Sequence, residues 1–129
     1  MGRLIAVLLL ALCIPAFATV PNAGDLVVKC KELAKDNDDS SKDEAKAGWC
    51  YGFINGWQAV GGAPYVENGK LYKLRISKDI SYGQAARVFV KYVKEHPELE
   101  NKKTYVVFTW AMIDAGLVQL ADWEPTPGW

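Results

Sequence analysis

Apolar positions recur with helical spacing in four separate runs, and a polar or irregular stretch divides each run from the next. The longest run lies in residues 43–62, DEAKAGWCYGFINGWQAVGG, where Trp49, Cys50, Phe53, Ile54, Trp57 and Val60 fall at i, i+1, i+4, i+5, i+8 and i+11. This spacing predicts an α-helix with one apolar stripe. Ala45 and Ala47 open it with good helix formers, and Gly61-Gly62 mark its end. Gly52 and Gly56 lie inside, each costing about 0.8–1 kcal/mol relative to alanine. Spaced one turn apart, they form a notch where another backbone can approach closely.

Upstream, Asp25 is the expected N-cap of a first helix running to about residue 35, with Leu26, Val27, Cys30, Leu33 and Ala34 turned inward. Residues 35–44, KDNDDSSKDE, are polar throughout and read as a solvated helix–helix connection. Asp36, Asn37, Asp38 and Asp39 are oxygen ligands suited to a cation, but the stretch lacks the turn glycine and the closing glutamate of an EF-hand loop. Residues 61–80 are the least regular part of the chain. Ala63-Pro64-Tyr65 and Asn68-Gly69 are turn signals, and β-type residues flank the second of them. Two readings stand: a small hairpin around Glu67-Asn68-Gly69-Lys70, or an extended loop pinned by Tyr65, Leu71 and Leu74. A connection of this length in a small domain is more often functional than a short one. It is the leading candidate for a partner-binding surface, with Tyr65, Tyr72 and Arg75 as its anchors.

Ser81-Tyr82-Gly83-Gln84 has the pattern of a capping box and starts a third helix, with Ala85, Val88, Phe89, Tyr92 and Val93 on one face. His96-Pro97 ends it, because the residue before proline is driven out of the α region. His96 is the only histidine, and a C-terminal cap accounts for it without chemistry. A fourth helix is expected from Lys103-Thr104, with Val106, Trp110, Ile113, Leu117 and Leu120 as its core face and Val107, Ala111 and Val118 beside them. A proline-spaced tail with two tryptophans, residues 122–129, closes the chain.

The first residues, MGRLIAVLLLALCIPAFATVP, change the setting. Arg3 is a minimal basic start, residues 4–14 are a short apolar run, and Ala16-Phe17-Ala18 supplies a small-x-small cleavage pattern. A signal peptide of residues 1–18 and a periplasmic destination are expected, leaving residues 19–129 as a single domain with no membrane contact after cleavage. The 15 basic and 15 acidic residues of the full chain become an excess of one acid once Arg3 is removed. That balance offers no field to attract nucleic acid or an anionic surface. Cys13 leaves with the leader, so Cys30 and Cys50 remain as an even pair in an oxidising compartment, each on an apolar helix face. A disulfide between the first two helices is expected, worth roughly 3 kcal/mol for a loop of about 20 residues. The fold class is mainly α: a small single-domain four-helix arrangement with that disulfide and a long loop or small hairpin between helices 2 and 3.

Two blocks carry a family likeness. Trp49-Cys50-Tyr51-Gly52-Phe53-Ile54-Asn55-Gly56, with Cys30 upstream, and Gly83-Gln84 through Arg87-Val88, Lys91-Tyr92-Val93 and His96-Pro97-Glu98 keep the order and spacing of a known signature. The chain resembles the Rap/Tai-type immunity proteins of type VI secretion systems. The resemblance implies a small exported helical protein, acting as a homodimer, that binds and neutralises a secreted peptidoglycan-hydrolase effector by steric blockade. Members often carry a second cysteine pair, yet Leu74-Arg75-Ile76-Ser77 and Ala115-Gly116-Leu117-Val118 hold none at the corresponding places. The long connection should therefore be less tightly held. A small periplasmic chaperone or envelope-stress protein shares the size, export and single staple, and is the alternative. An enzyme is not expected: one histidine, no metal-ligand spacing, no nucleophile elbow and no phosphate loop leave no cofactor or catalytic residue to assign.

Overall fold

The computed structural model describes residues 21–61, 64–77 and 79–122, with Pro64 and Tyr65 described by their backbone. The expected leader, its cleavage site and the tryptophans of the tail lie outside the described residues. Along the chain run α1 (Ala23–Leu33), α2 (Glu44–Ala59), β1 (Pro64–Glu67), β2 (Lys70–Ile76), α3 (Tyr82–Glu95), a 3-10 turn (Pro97–Leu99), α4 (Thr104–Asp114) and β3 (Val118–Asp122). The helices, the hairpin and the Cys30–Cys50 disulfide, with its Cα atoms 5.1 Å apart, are those the sequence predicts. The third strand is an addition.

Three of the four α-helices start with a side-chain acceptor for their unpaired first-turn N–H groups, whereas α4, preceded by Lys103, has no side-chain cap. For α1 the N-cap is Asn22 rather than Asp25. The Asn22 amide oxygen accepts the Asp25 N–H at 3.0 Å, and the Asp25 carboxylate accepts the Asn22 N–H at 2.9 Å. Asp25 is thus the returning partner of a capping box, and the helix begins earlier than its acidic residue suggests. Asp43 caps α2 by accepting the N–H groups of Ala45 and Lys46, both at 3.1 Å. Ser81 caps α3 by accepting the Gln84 N–H at 3.1 Å, so only the serine half of that box is made among the described residues. His96 ends α3 as its C-cap, its N–H donating to Tyr92 O and Val93 O.

The core sits where α1, α2, α3 and α4 meet, around the buried ring of Phe108. Phe53, Trp57 and Phe89 approach that ring with centroids 5.3, 5.0 and 5.3 Å away. Such tilted and edge-on contacts suit the aromatic quadrupole and add to the burial of large apolar area. The α4 face that enters the core is rotated from expectation. Val107, Phe108, Ala111 and Met112 are buried, whereas Val106, Trp110 and Ile113 are half-buried. Nor does α4 reach Leu117 and Leu120. Gly116, with φ 73°, reverses the chain after Ala115, and the following residues become β3. Only glycine takes that backbone conformation readily, which is why the helix stops there.

The three strands form an antiparallel sheet in the order β1-β2-β3. Asn68 (φ 50°) and Gly69 (φ 76°) make the two-residue turn joining β1 and β2, both in the left-handed region that a type I′ hairpin requires. Leu74 pairs with Leu120 and Ile76 with Val118, and this face carries the buried Leu74 and Val118 onto the helices. Gly61 is buried where α2 gives way to the sheet, and a Cβ there would collide with Ile76 Cδ1.

Candidate functional site

The hairpin places the three sequence-predicted anchors in register but not on one surface. Tyr65 and Tyr72 are direct cross-strand partners. Arg75 lies three residues beyond Tyr72 on β2, where it pairs with Gln119. Side chains alternate between faces along a strand, so Tyr72 and Arg75 belong to opposite sides of the sheet. Tyr72 follows the half-buried face that leads to Leu74 and Ile76. Arg75 is exposed with Leu71 and Lys73, opposite Val66, Gln119 and Ala121. Val66 (61% exposed) and Leu71 (38%) make the turn end of this outer face apolar, and Lys73 and Arg75 follow along β2.

An exposed ion pair joins β3 to the turn end of β2. Lys70 Nζ donates to an Asp122 carboxylate oxygen at 2.9 Å and stands 5.3 Å from the Tyr72 ring centroid. Hydrogen bonding to Asp122, then the Asp122 charge, raises the Lys70 pKa above the ordinary lysine value. The ammonium therefore stays charged through neutral pH, although an exposed pair of this kind adds little stability.

A second surface was not singled out by the sequence. Between α2, the start of α4 and the residues that lead into α1 runs a groove of about 580 Å³, walled by Pro21, Trp49, Phe53, Thr104 and Tyr105 and flanked by Lys102 and Lys103. Trp49 remains 42% exposed there, and Lys29 Nζ stands 3.8 Å from its ring centroid. The walls are stitched together. Thr104 Oγ1 donates to Pro21 O at 2.6 Å, Ala23 N–H to Lys102 O at 3.0 Å, and Gly24 N–H to Glu100 O at 2.9 Å.

Helical geometry explains why this groove was missed. Trp49 and Phe53 lie one turn apart, about 100° around the helix from Cys50, Ile54 and Trp57. A single stripe that includes both sets is too wide for one buried face. Cys50, Ile54 and Trp57 fill the core, while Trp49 is left at the surface and Phe53 at its margin. The signal was present in the i, i+1 doubling of the pattern.

On a further side of α2, Tyr51 and Tyr82 approach with ring centroids 4.2 Å apart, and the Tyr82 hydroxyl donates to Asn55 Oδ1 at 3.1 Å. Hydrogen bonding with Tyr51, then burial, pushes the Tyr82 hydroxyl above the ordinary tyrosine value. Gly52 and Gly56 face open space, as does Gly48 one turn earlier, with no atom within 4 Å of where a Cβ would stand. The expected notch exists, and nothing among the described residues enters it.

In the connection between α1 and α2, Asp39 accepts from both the hydroxyl (2.6 Å) and the N–H (2.8 Å) of Ser41. Among the described residues, no group of three or more His, Cys, Asp or Glu side chains is placed to hold a metal ion. No described helix is long and apolar enough to cross a membrane.

No curated protein and no solved structure matches the chain. The family model of the Rap1a immunity proteins matches residues 22–115, which run from the N-cap of α1 to the C-cap of α4, and the chain belongs to that family.

Proposed function

We propose that this chain is an exported, non-catalytic immunity protein that binds a cell-wall-degrading effector delivered by type VI secretion and blocks it sterically in the periplasm. Its membership of the Rap1a immunity family, across residues 22–115, carries the reading. A rigid frame favours such a role, because a preorganised binder loses little freedom on association. Here the frame is α1 and α2 joined by Cys30–Cys50, with the sheet laid on the helices through Leu74 and Val118. Tyr65, Tyr72 and Arg75 are the proposed hairpin contacts. Because Tyr72 and Arg75 belong to opposite faces of β2, one flat surface meets only one of them. A cleft that closes around the hairpin meets both, and the active site of a polymer hydrolase is a cleft.

The test combines capture with inhibition. The processed protein, residues 19–129, is presented to the secreted proteins of its own producer, and what it retains is identified by mass spectrometry. The expected result is one peptidoglycan hydrolase held in stoichiometric complex, with its clearing of a peptidoglycan suspension abolished. A spread of unrelated proteins whose binding grows at low pH would replace this reading with a chaperone. Binding that leaves hydrolysis intact would remove steric blockade.

A further inference from the structure

We infer that the groove walled by Trp49, Phe53 and Tyr105 is a docking site for an acidic segment of the effector that inserts an aromatic or large aliphatic side chain. This rests on the immunity reading and adds to the hairpin a contact surface lined by no residue of the sheet. Size and lining come first. A groove of about 580 Å³ with aromatic walls lies within the range that buries a compact apolar group. An exposed tryptophan in a fixed pocket is the residue type that most often anchors an interface.

Charge then selects the partner. Lys102 and Lys103 line the groove and Lys29 stands over Trp49, while no carboxylate is among the lining residues. Two acids stand outside it: Asp25 lines the adjoining depression beside Pro21 and accepts the Asn22 N–H, and Glu100 lines a further one beside Asn22 and Asn101. None of the three lysines is in an ion pair among the described residues. A chain with 15 basic and 15 acidic residues thus places at this apolar groove a cationic rim that holds no ion pair among the described residues. Such a rim speeds encounter with acidic partners and rejects basic ones.

Continuity favours a protein segment over a free amphiphile. The surface continues past Pro21 to Val28, which is 52% exposed beside Asp25 and Lys29, and a single small molecule seated in the groove leaves that extension uncovered. Three hydrogen bonds between the start of α1 and residues 100–104 hold the walls before anything binds, so little ordering accompanies docking.

The probes are two capped tetrapeptides, one with two aspartates flanking phenylalanine and leucine, the other with lysines in place of the aspartates, and dodecanoate. Each is titrated into the 15N-labelled processed protein. The acidic peptide should shift the Trp49 indole N–H and the amides of residues 101–105 saturably by about 2 mM, the affinity range of so short a ligand. Trp49→Ala and the charge reversal Lys102→Glu/Lys103→Glu should each weaken it by about tenfold with the fold intact, since these side chains are exposed or line the surface. No shift in the groove by that concentration, or an equal response to the basic peptide, overturns the inference. A saturable response to dodecanoate alone reassigns the groove to a small anionic amphiphile. This readout uses no effector, so its failure leaves the immunity reading to the capture experiment. Peptide binding by a protein that captures no hydrolase removes the effector from the inference and overturns it there.

Discussion

The Trp57 indole N–H donates to the Thr109 hydroxyl at 3.0 Å, joining α2 to α4 inside the core. Thr109 is fully buried, and its own hydroxyl donates back to Tyr105 O at 2.9 Å. Every polar atom of the pair is satisfied, which is the condition for burying it without penalty. Thr109→Val keeps the shape but leaves the indole N–H without an acceptor, and should cost about 1–3 kcal/mol in urea unfolding. Thr109→Ser restores the acceptor and should recover the polar part of that loss. With Trp57→Phe already in place, Thr109→Val should cost clearly less than it does alone. Equal costs in the two backgrounds would mean that the hydrogen bond is not what Thr109 supplies.

Cys30 and Cys50 are fully buried, so the disulfide is shielded from reductant while the protein is folded. Cys30→Ala/Cys50→Ala should lower unfolding free energy by about 3 kcal/mol, the loop-entropy value for a separation of this size. Mild reductant should act on the native protein only at the rate of global opening. Rapid reduction without loss of helical signal would show that α1 and α2 part locally instead.

The pairing of Trp57 with Thr109 could not be read from the sequence, although the helices holding both residues could. Binary pattern gave the inward faces of α1 and α3 because each has a polar side: Lys29, Lys31 and Glu32 on α1 leave little choice of inward face. On α4 the residues TYVVFTWAMID are apolar almost all the way round, so spacing alone did not distinguish Val106 from Val107 as the core position. The Thr109 hydroxyl, which has to find its partner inside, would have indicated the correct side. The same apolar continuity hid β3. Leu117, Val118 and Leu120 extend the helical stripe on paper, and only Gly116 records that the chain has already turned. Of the candidate site, the hairpin was legible from Asn68-Gly69. The groove depends on where residues 100–104 cross α1, a long-range fact that no local pattern carries.

Glu32 should make the junction of α1 and α2 sensitive to acid. Its carboxylate accepts from Lys35 Nζ at 2.7 Å and from the Asp43 N–H at 3.0 Å. Those contacts, Lys35 first and the Asp43 N–H second, hold its pKa below the ordinary 4.5. Asp39 is likewise held below 3.8, by the Ser41 hydroxyl first and then the Ser41 N–H. A carboxylate with a depressed folded-state value contributes stability that is fully present above its unfolded value and lost as pH falls through the folded one. Acid loosening should therefore begin below pH 4.5 and centre on residues 32–43. A carboxyl carbon NMR titration should place the Glu32 midpoint below 4.5, and Glu32→Gln should flatten the acid limb of the stability curve. A Glu32 midpoint at or above the ordinary value would contradict this account of the junction.

The open glycines of α2 allow stability and self-association to be separated. Gly52→Ala and Gly56→Ala place a methyl where no atom lies within 4 Å, on a helix that gains from losing each glycine. Each should stabilise the isolated chain by about 0.5–1 kcal/mol. Gly61→Ala is the contrasting case, because its methyl collides with Ile76, and should destabilise by about 1–3 kcal/mol. The family resemblance implies a homodimer but not where its copies meet; if they pack through the notch, the methyls that stiffen each helix also hold the pair apart. The effects then take opposite signs: urea unfolding at low concentration shows a gain, while sedimentation at high concentration shows weaker self-association. A gain in stability with unchanged sedimentation would take any dimer contact away from this strip. A loss at every concentration would mean that the notch is filled within the chain itself.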